Sequence, residues 1–161
     1  MKRAKTTGIQ YAALPWRIVG RRVEILLITS RETRRWVIPK GWPMRGLKPQ
    51  YAAAIEASEE AGLVGRIEDQ PIGAYHYVKR LKPGRDIDVQ VIVFAFQVSY
   101  QAEHWKEHGQ RAFEWRPYRR AAMMVAEPTL RRLIADFGAA RTPTLLARGL
   151  RTYRSWRLAR A

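Results

Sequence analysis

Glu56, Glu59 and Glu60 place three carboxylates within five residues of a chain whose formal net charge is +16. On an α-helix each residue turns by about 100°, which puts Glu59 at about −60° and Glu60 at about +40° from Glu56. The three acids therefore share one face. Held so closely they repel, and Glu56 with Glu60 is a like-charged i,i+4 pair. A divalent cation relieves that repulsion, and hard ions such as Mg2+ and Mn2+ take oxygen ligands. A solvated acidic face paired with some of the many arginines relieves it too. The helix alone leaves both readings open.

The flanking residues predict the element that holds these acids. Pro49 suits a first helical turn, the alanines are strong helix formers and Gly62 is a good stop, so a helix is expected from about Pro49 to Ala61. Ala54, Ala57 and Ala61 on its other side allow close packing on a sheet. Upstream, strands are expected over Ile9–Val19, interrupted by Pro15, then over Val23–Thr29 and Trp36–Ile38. The stretch KGWPMRGLKP, with two glycines and two prolines, reads as a loop. Downstream, Arg66–Val78 reads as a strand or hairpin arm, with a turn at Lys82-Pro83-Gly84-Arg85. Asp88–Ser99 is apolar on both faces from Val91 to Phe96, which places it at the centre of a sheet. Helices are expected over Tyr118–Val125 and over Pro128–Ala139. The order predicts an α/β (α+β) fold, a mixed sheet with helices packed on it.

The 161 residues suit a single domain with a proper core. No apolar run approaches transmembrane length, and MKRAKTTGIQ has no apolar segment of the signal-peptide kind, so neither membrane insertion nor secretion is expected. Cysteine is absent, which removes disulfide and thiolate chemistry and fits the cytoplasm. The 30 Lys and Arg against 14 Asp and Glu favour a polyanionic partner: nucleic acid, a membrane surface or a phosphate-rich small molecule. A solvated basic surface accounts for the charge equally well.

Gly41 to Leu63 resembles the signature of the Nudix hydrolase family, G-x5-E-x7-R-E-U-x-E-E-x-G-U, with U a bulky aliphatic residue. Six of the nine defined positions match, namely Gly41, Glu56, Glu59, Glu60, Gly62 and Leu63. Ala57 is a small substitute at a U position. Leu47 and Ile55 stand where the family has a Glu and an Arg that pair with each other. Exchanging both charges for hydrophobic side chains can be neutral or stabilising. Leu47 and Ile55 are therefore expected in apolar contact, as an exchanged brace. The resemblance runs from about Tyr11 to Phe137. WVIPKGW, EASEEAGLVG and FEWRPYRRAAMMV are similar to the diphosphoinositol polyphosphate phosphohydrolase and diadenosine polyphosphate hydrolase branch.

That resemblance implies a mixed, curved sheet sandwiched between helices, and hydrolysis of a diphosphate linked to another group with Mg2+ or Mn2+ as cofactor. It implies Glu56 and Glu60 as main metal ligands. Glu59 is then a further ligand or the catalytic base. Members often take another acid from a loop outside the signature; Glu107 is the first candidate here and Glu103 the second, while Glu114 reads as structural. His104 and His108 lie in the same loop. Lys40, Gly41, Arg34, Arg35 and Arg45 are candidate substrate-binding residues, with further cations at Arg31, Lys48, Lys79, Arg80, Lys82 and Arg85. Trp42 is suited to stacking on a base or to covering the loop.

After Thr142-Pro143 the chain carries no acid, and Arg148, Arg151, Arg154, Arg157 and Arg160 recur every third residue. Residues 142–161 read as a basic C-terminal helix or tail, docked on the domain or offered to RNA or a membrane surface. Three functions remain open: a metal-dependent pyrophosphohydrolase of a polyphosphorylated small molecule, an RNA 5′-end pyrophosphohydrolase, and a catalytically silent nucleotide- or RNA-binding module.

Overall fold

The computed structural model describes residues 7–144. The Arg-rich tail from residue 145 onward lies outside them. Among the described residues eight strands form one mixed sheet: β1 (Thr7–Val19), β2 (Arg22–Thr29), β3 (Trp36–Val37), β4 (Lys40–Gly41), β5 (Leu63–Ile67), β6 (Gly73–Lys82), β7 (Arg85–Gln101) and β8 (Phe113–Pro117). Three helices accompany them, α1 (Pro49–Ala61), α2 (Tyr118–Met124) and α3 (Pro128–Arg141). No helix among the described residues is long and apolar enough to cross a membrane.

The long strand β7 organises the sheet. It runs parallel to β1 from Thr7↔Asp88 to Trp16↔Gln97, and its other edge pairs antiparallel with β6 and then β5. Side chains alternate faces along a strand. Val89, Val91, Val93 and Ala95 join a core with α2 and α3, while Phe94 and Phe96 join a second core with α1. The apolar run read from both faces of this segment thus supplies two cores, and the sheet lies between α1 and the α2–α3 pair.

Three elements differ from expectation. Lys40–Gly41, read as loop, forms β4 by pairing with Tyr11 and Ala12. The single arm expected over Arg66–Val78 is two strands, β5 and β6, both added to β7. β1 is not interrupted at Pro15. The Ala13 N–H donates to Pro39 O at 3.0 Å, so residue 15 faces the same side of β1. On that side β1 changes partner, from β4 at Tyr11–Ala12 to β2 from Trp16 onward. The missing proline N–H falls between the two ladders, where it costs no pairing.

Helix α1 sits close to the sheet because its inner side is alanine. Ala53, Ala57 and Ala61 are fully buried against Ala13, Leu26, Phe94 and Phe96. Gly62 closes the helix in the left-handed conformation, φ 67°. A larger side chain on this face would lift the helix and its acids off the sheet. Ala57→Leu is expected to cost about 1–3 kcal/mol through overpacking, read as a lowered midpoint in urea unfolding.

Candidate active site

A cleft of about 1040 Å³ opens beside β4, lined by Glu56, Glu60, Glu107, Lys40, Arg35 and Trp42 among others. Its acidic end is built by α1. Glu56 stands over Gly41, and a side-chain carbon at residue 41 would run into Glu56 Oε1. The first glycine of the signature is therefore the floor on which Glu56 rests. One turn on, Glu60 is buried, and its Oε2 accepts the Lys40 backbone N–H at 3.1 Å.

The loop between β7 and β8 brings Glu107 to the same place. The last turn of a helix leaves carbonyls without partners. Here the loop supplies them: Glu107 N–H donates to Glu59 O at 3.0 Å, and Ala102 N–H to Gly62 O at 2.8 Å. Trp105 lies against Gly62, where any side chain would strike its ring, and stacks on His108 with centroids 3.9 Å apart. His104 and His108 are exposed beside it, and Glu103 is exposed too. Glu114 pairs with Arg116 at 2.6 Å, in keeping with a structural reading.

Arg111 joins the acids. Its Nη2 donates to Glu60 Oε1 at 2.7 Å, its Nε to Glu107 Oε2 at 2.7 Å and its Nη1 to Thr29 O at 3.0 Å. Nothing in residue type separated this arginine from the others in the sequence. Glu59, by contrast, pairs with Lys106 at 2.8 Å and is not among the cleft-lining residues. Arg34 turns its guanidinium to Gln110 O at 3.1 Å, and Arg45 is exposed, so these two candidates do not line the cleft, whereas Lys40, Gly41 and Arg35 do. The exchanged brace fails: Leu47 is 42 % exposed, Ile55 is only partly buried, and neither joins a core cluster.

Burial dominates the electrostatics. It pushes the Glu60 carboxyl up to about 7, against the opposing charges of Arg111 and Lys40. Glu56 is raised as well, first by burial and then by the charges of Glu59 and Glu107. Burial lowers the Lys40 ammonium, with Glu60 opposing. Among the described residues Glu56 makes no ion pair, so the cleft holds a partly desolvated carboxylate with no cation of its own. Hard oxygen donors with uncompensated charge suit a hard divalent cation. As they stand, no three acidic or histidine side chains among the described residues are gathered closely enough to hold a metal ion. Two of the oxygens are instead given to Arg111.

Residues 10–137 match the family model of the NUDIX domain. "Nudix hydrolase 12, mitochondrial" of Arabidopsis thaliana is 25 % identical over 119 residues, covering 72 % of this chain and 59 % of the relative. The chain spans about half the length of the curated relatives it matches. Among solved structures, a C. elegans Ap4A hydrolase binary complex superposes with a TM-score of 0.61 at 20 % identity, over 82 % of this chain and 96 % of the other. The NUDIX domain of Shewanella oneidensis NrtR, complexed with ADP ribose, superposes with a TM-score of 0.61 at 15 % identity, over 83 % and 89 %.

The pH dependence of the acidic end follows from Glu60. Its folded value lies above that of an unfolded carboxylate, so its contribution favours the folded state at low pH and is lost as pH rises through about 7. Removing Arg111, 8 % exposed in its side chain, leaves Glu60 and Glu107 without their shared cation. Arg111→Met is expected to lower the unfolding free energy by about 3 kcal/mol near neutral pH and by less in acid, where Glu60 is protonated. Urea unfolding of both proteins at the two pH values measures this.

Proposed function

The chain belongs to the NUDIX domain family, and from that premise we propose that it is a metal-dependent hydrolase of phosphoric anhydride bonds. The observation that carries the reading is the pairing of opposites in one cleft. Glu56 and Glu60 face a space otherwise rich in Lys40, Arg31, Arg35, Lys79 and Arg80. Glu56 and Glu60, with Glu59 adjoining, are the residues to hold Mg2+ or Mn2+, which when bound neutralises phosphate charge and activates a water. The guanidinium forks of Arg31 and Arg35 suit phosphate oxygens. Arg31 already reaches Glu107 at 3.1 Å and links the basic and acidic ends. Glu107 would be the acid to accept the proton of the attacking water once its pairs with Arg31 and Arg111 open.

The cleft volume admits a nucleotide-sized ligand. A dinucleoside polyphosphate or an inositol pyrophosphate is the substrate class proposed, supported by the density of cations and by the likeness in fold to an Ap4A hydrolase. Dinucleoside polyphosphates, inositol pyrophosphates, ADP-ribose, nucleoside triphosphates and triphosphorylated RNA, each with Mg2+ or Mn2+, form the deciding panel. Turnover of RNA alone would replace the small-molecule reading, and metal-independent binding without turnover would make the chain a silent module. Glu60→Gln should reduce kcat/KM by about 100-fold or more while the unfolding transition is retained. Full activity in that variant would remove Glu60 from the site.

The same reading makes Gly41 a positioning residue. Gly41→Ala displaces the Glu56 carboxylate without altering any donor. It is expected to weaken Mn2+ uptake, measured by calorimetric titration, by about 10-fold or more. Unchanged uptake would show that Glu56 does not need its seat on residue 41.

A further inference from the structure

One acid of the basic cleft has no part in the hydrolytic reading. Glu127, at the start of α3, lines the cleft together with Lys40, Arg35 and Tyr77. Its side chain is 11 % exposed, and Oε2 is buried without a hydrogen-bond partner. The other oxygen has the Arg35 guanidinium at 3.8 Å, beyond hydrogen-bond length. Glu127 occupies the N-cap position of α3, from which a side-chain oxygen ordinarily accepts a first-turn N–H, yet it makes no capping bond. A buried acceptor left unsatisfied is costly. The positive end of the 14-residue helix and the nearby charges of Arg35 and Lys40 offset part of that cost without supplying a donor to Oε2.

The sign of this charge is wrong for phosphate. An ionised carboxylate only accepts hydrogen bonds, so its complement is an O–H or N–H. Ionised phosphate oxygens carry none. The moiety to which a diphosphate is attached carries several when it is a nucleoside: the hydroxyls of a ribose and the N–H groups of a base, whereas a fully phosphorylated inositol ring carries none. The neighbouring hydroxyl is already engaged, since Tyr77 donates to Gln10 Oε1 at 2.7 Å. We infer that Glu127 reads the organic end of the substrate, its carboxylate turning about the terminal bond to accept a hydrogen bond from a hydroxyl or N–H of the group esterified to the phosphate chain. This rests on the hydrolase reading of the cleft and adds to it a residue that favours such compounds over bare polyphosphate.

Glu127→Gln nearly keeps the shape and removes the charge, and the exposed Arg35 at 3.8 Å loses little by it. Equilibrium binding is measured for ADP and inorganic pyrophosphate, with Ca2+ as the cation. The variant is expected to bind ADP about tenfold more weakly, while pyrophosphate binding stays unchanged or tightens because a repelling charge has gone. Glu127→Ala, which has no acceptor, must lose at least as much. 2′-Deoxy-ADP and a diphosphate of unsubstituted purine riboside separate a ribose hydroxyl from a base N–H as the donor. Tighter binding of all the probes by Glu127→Gln would mark Glu127 as a bare repelling charge and overturn the inference, as would equal loss of all of them or no change. In those cases the hydrolase reading stands. If the wild-type protein binds none of these probes, that reading falls and this one with it.

Discussion

The guanidinium of Arg111 ties three parts of the chain into one acidic end. It holds Glu60 from α1, Glu107 from the loop before β8 and the Thr29 carbonyl at the end of β2. All three side chains are largely shielded from water. In such surroundings a carboxylate without a cation is expensive, so the arrangement is stable only while some positive charge is present. Arg111 supplies it within the chain itself. A divalent cation entering the cleft would compete for the same oxygens. The arginine is thus at once a structural tie and a rival for the site it braces, and removing it should change stability and cation uptake in opposite directions.

The tie works because α1 is close enough to be reached. Alanine at positions 53, 57 and 61 lets the helix lie on the sheet, and Gly41 leaves room for Glu56 between helix and β4. The loop after β7 then completes the end of the helix. Its backbone N–H groups occupy the carbonyls of Glu59 and Gly62, and Trp105 covers Gly62. Backbone groups that would otherwise need water instead fix Glu107 in place beside Glu60. The small residues of the signature are steric requirements of this packing as much as the glutamates are chemical ones.

Periodicity and stop signals were enough to find α1, β2, α3 and the doubly apolar β7, since each depends on a local pattern along one segment. The same periodicity put Glu56 and Glu60 on one helix face, and the family resemblance singled them out as candidate ligands. Arg111 and Glu127 were not singled out, because their meaning arises only from neighbours far along the chain. Arg111 is one cation among 30 Lys and Arg, and Glu127 reads from sequence as an ordinary residue before a Pro-initiated helix. The strand at Pro15 was hidden for a related reason: whether a proline breaks a strand depends on which partner its missing N–H would have faced. Breaks between β5 and β6 follow from how β7 shares its edge, which the segment itself does not encode.

The departures at Leu47 and Ile55 bear on how the loop before α1 is held. In the expected scheme two apolar side chains would replace a charged pair, but the exposure of Leu47 rules out a buried contact of that kind. Other contacts hold the loop at its start. Lys40 and Gly41 pair with β1. The ring of Trp42 lies over Gly8, and the Lys79 ammonium sits 5.1 Å from its centroid. The Lys40 N–H is fixed to Glu60. The segment is therefore anchored where it meets the acids and left open at Leu47, where it leads into the helix. A loop held in this way keeps Lys40 and Gly41 beside Glu56 and Glu60 without a Leu47–Ile55 contact, but the exposed Leu47 removes the exchanged brace as the reason for losing the charged pair, and the reading as a catalytically silent module gains weight by it.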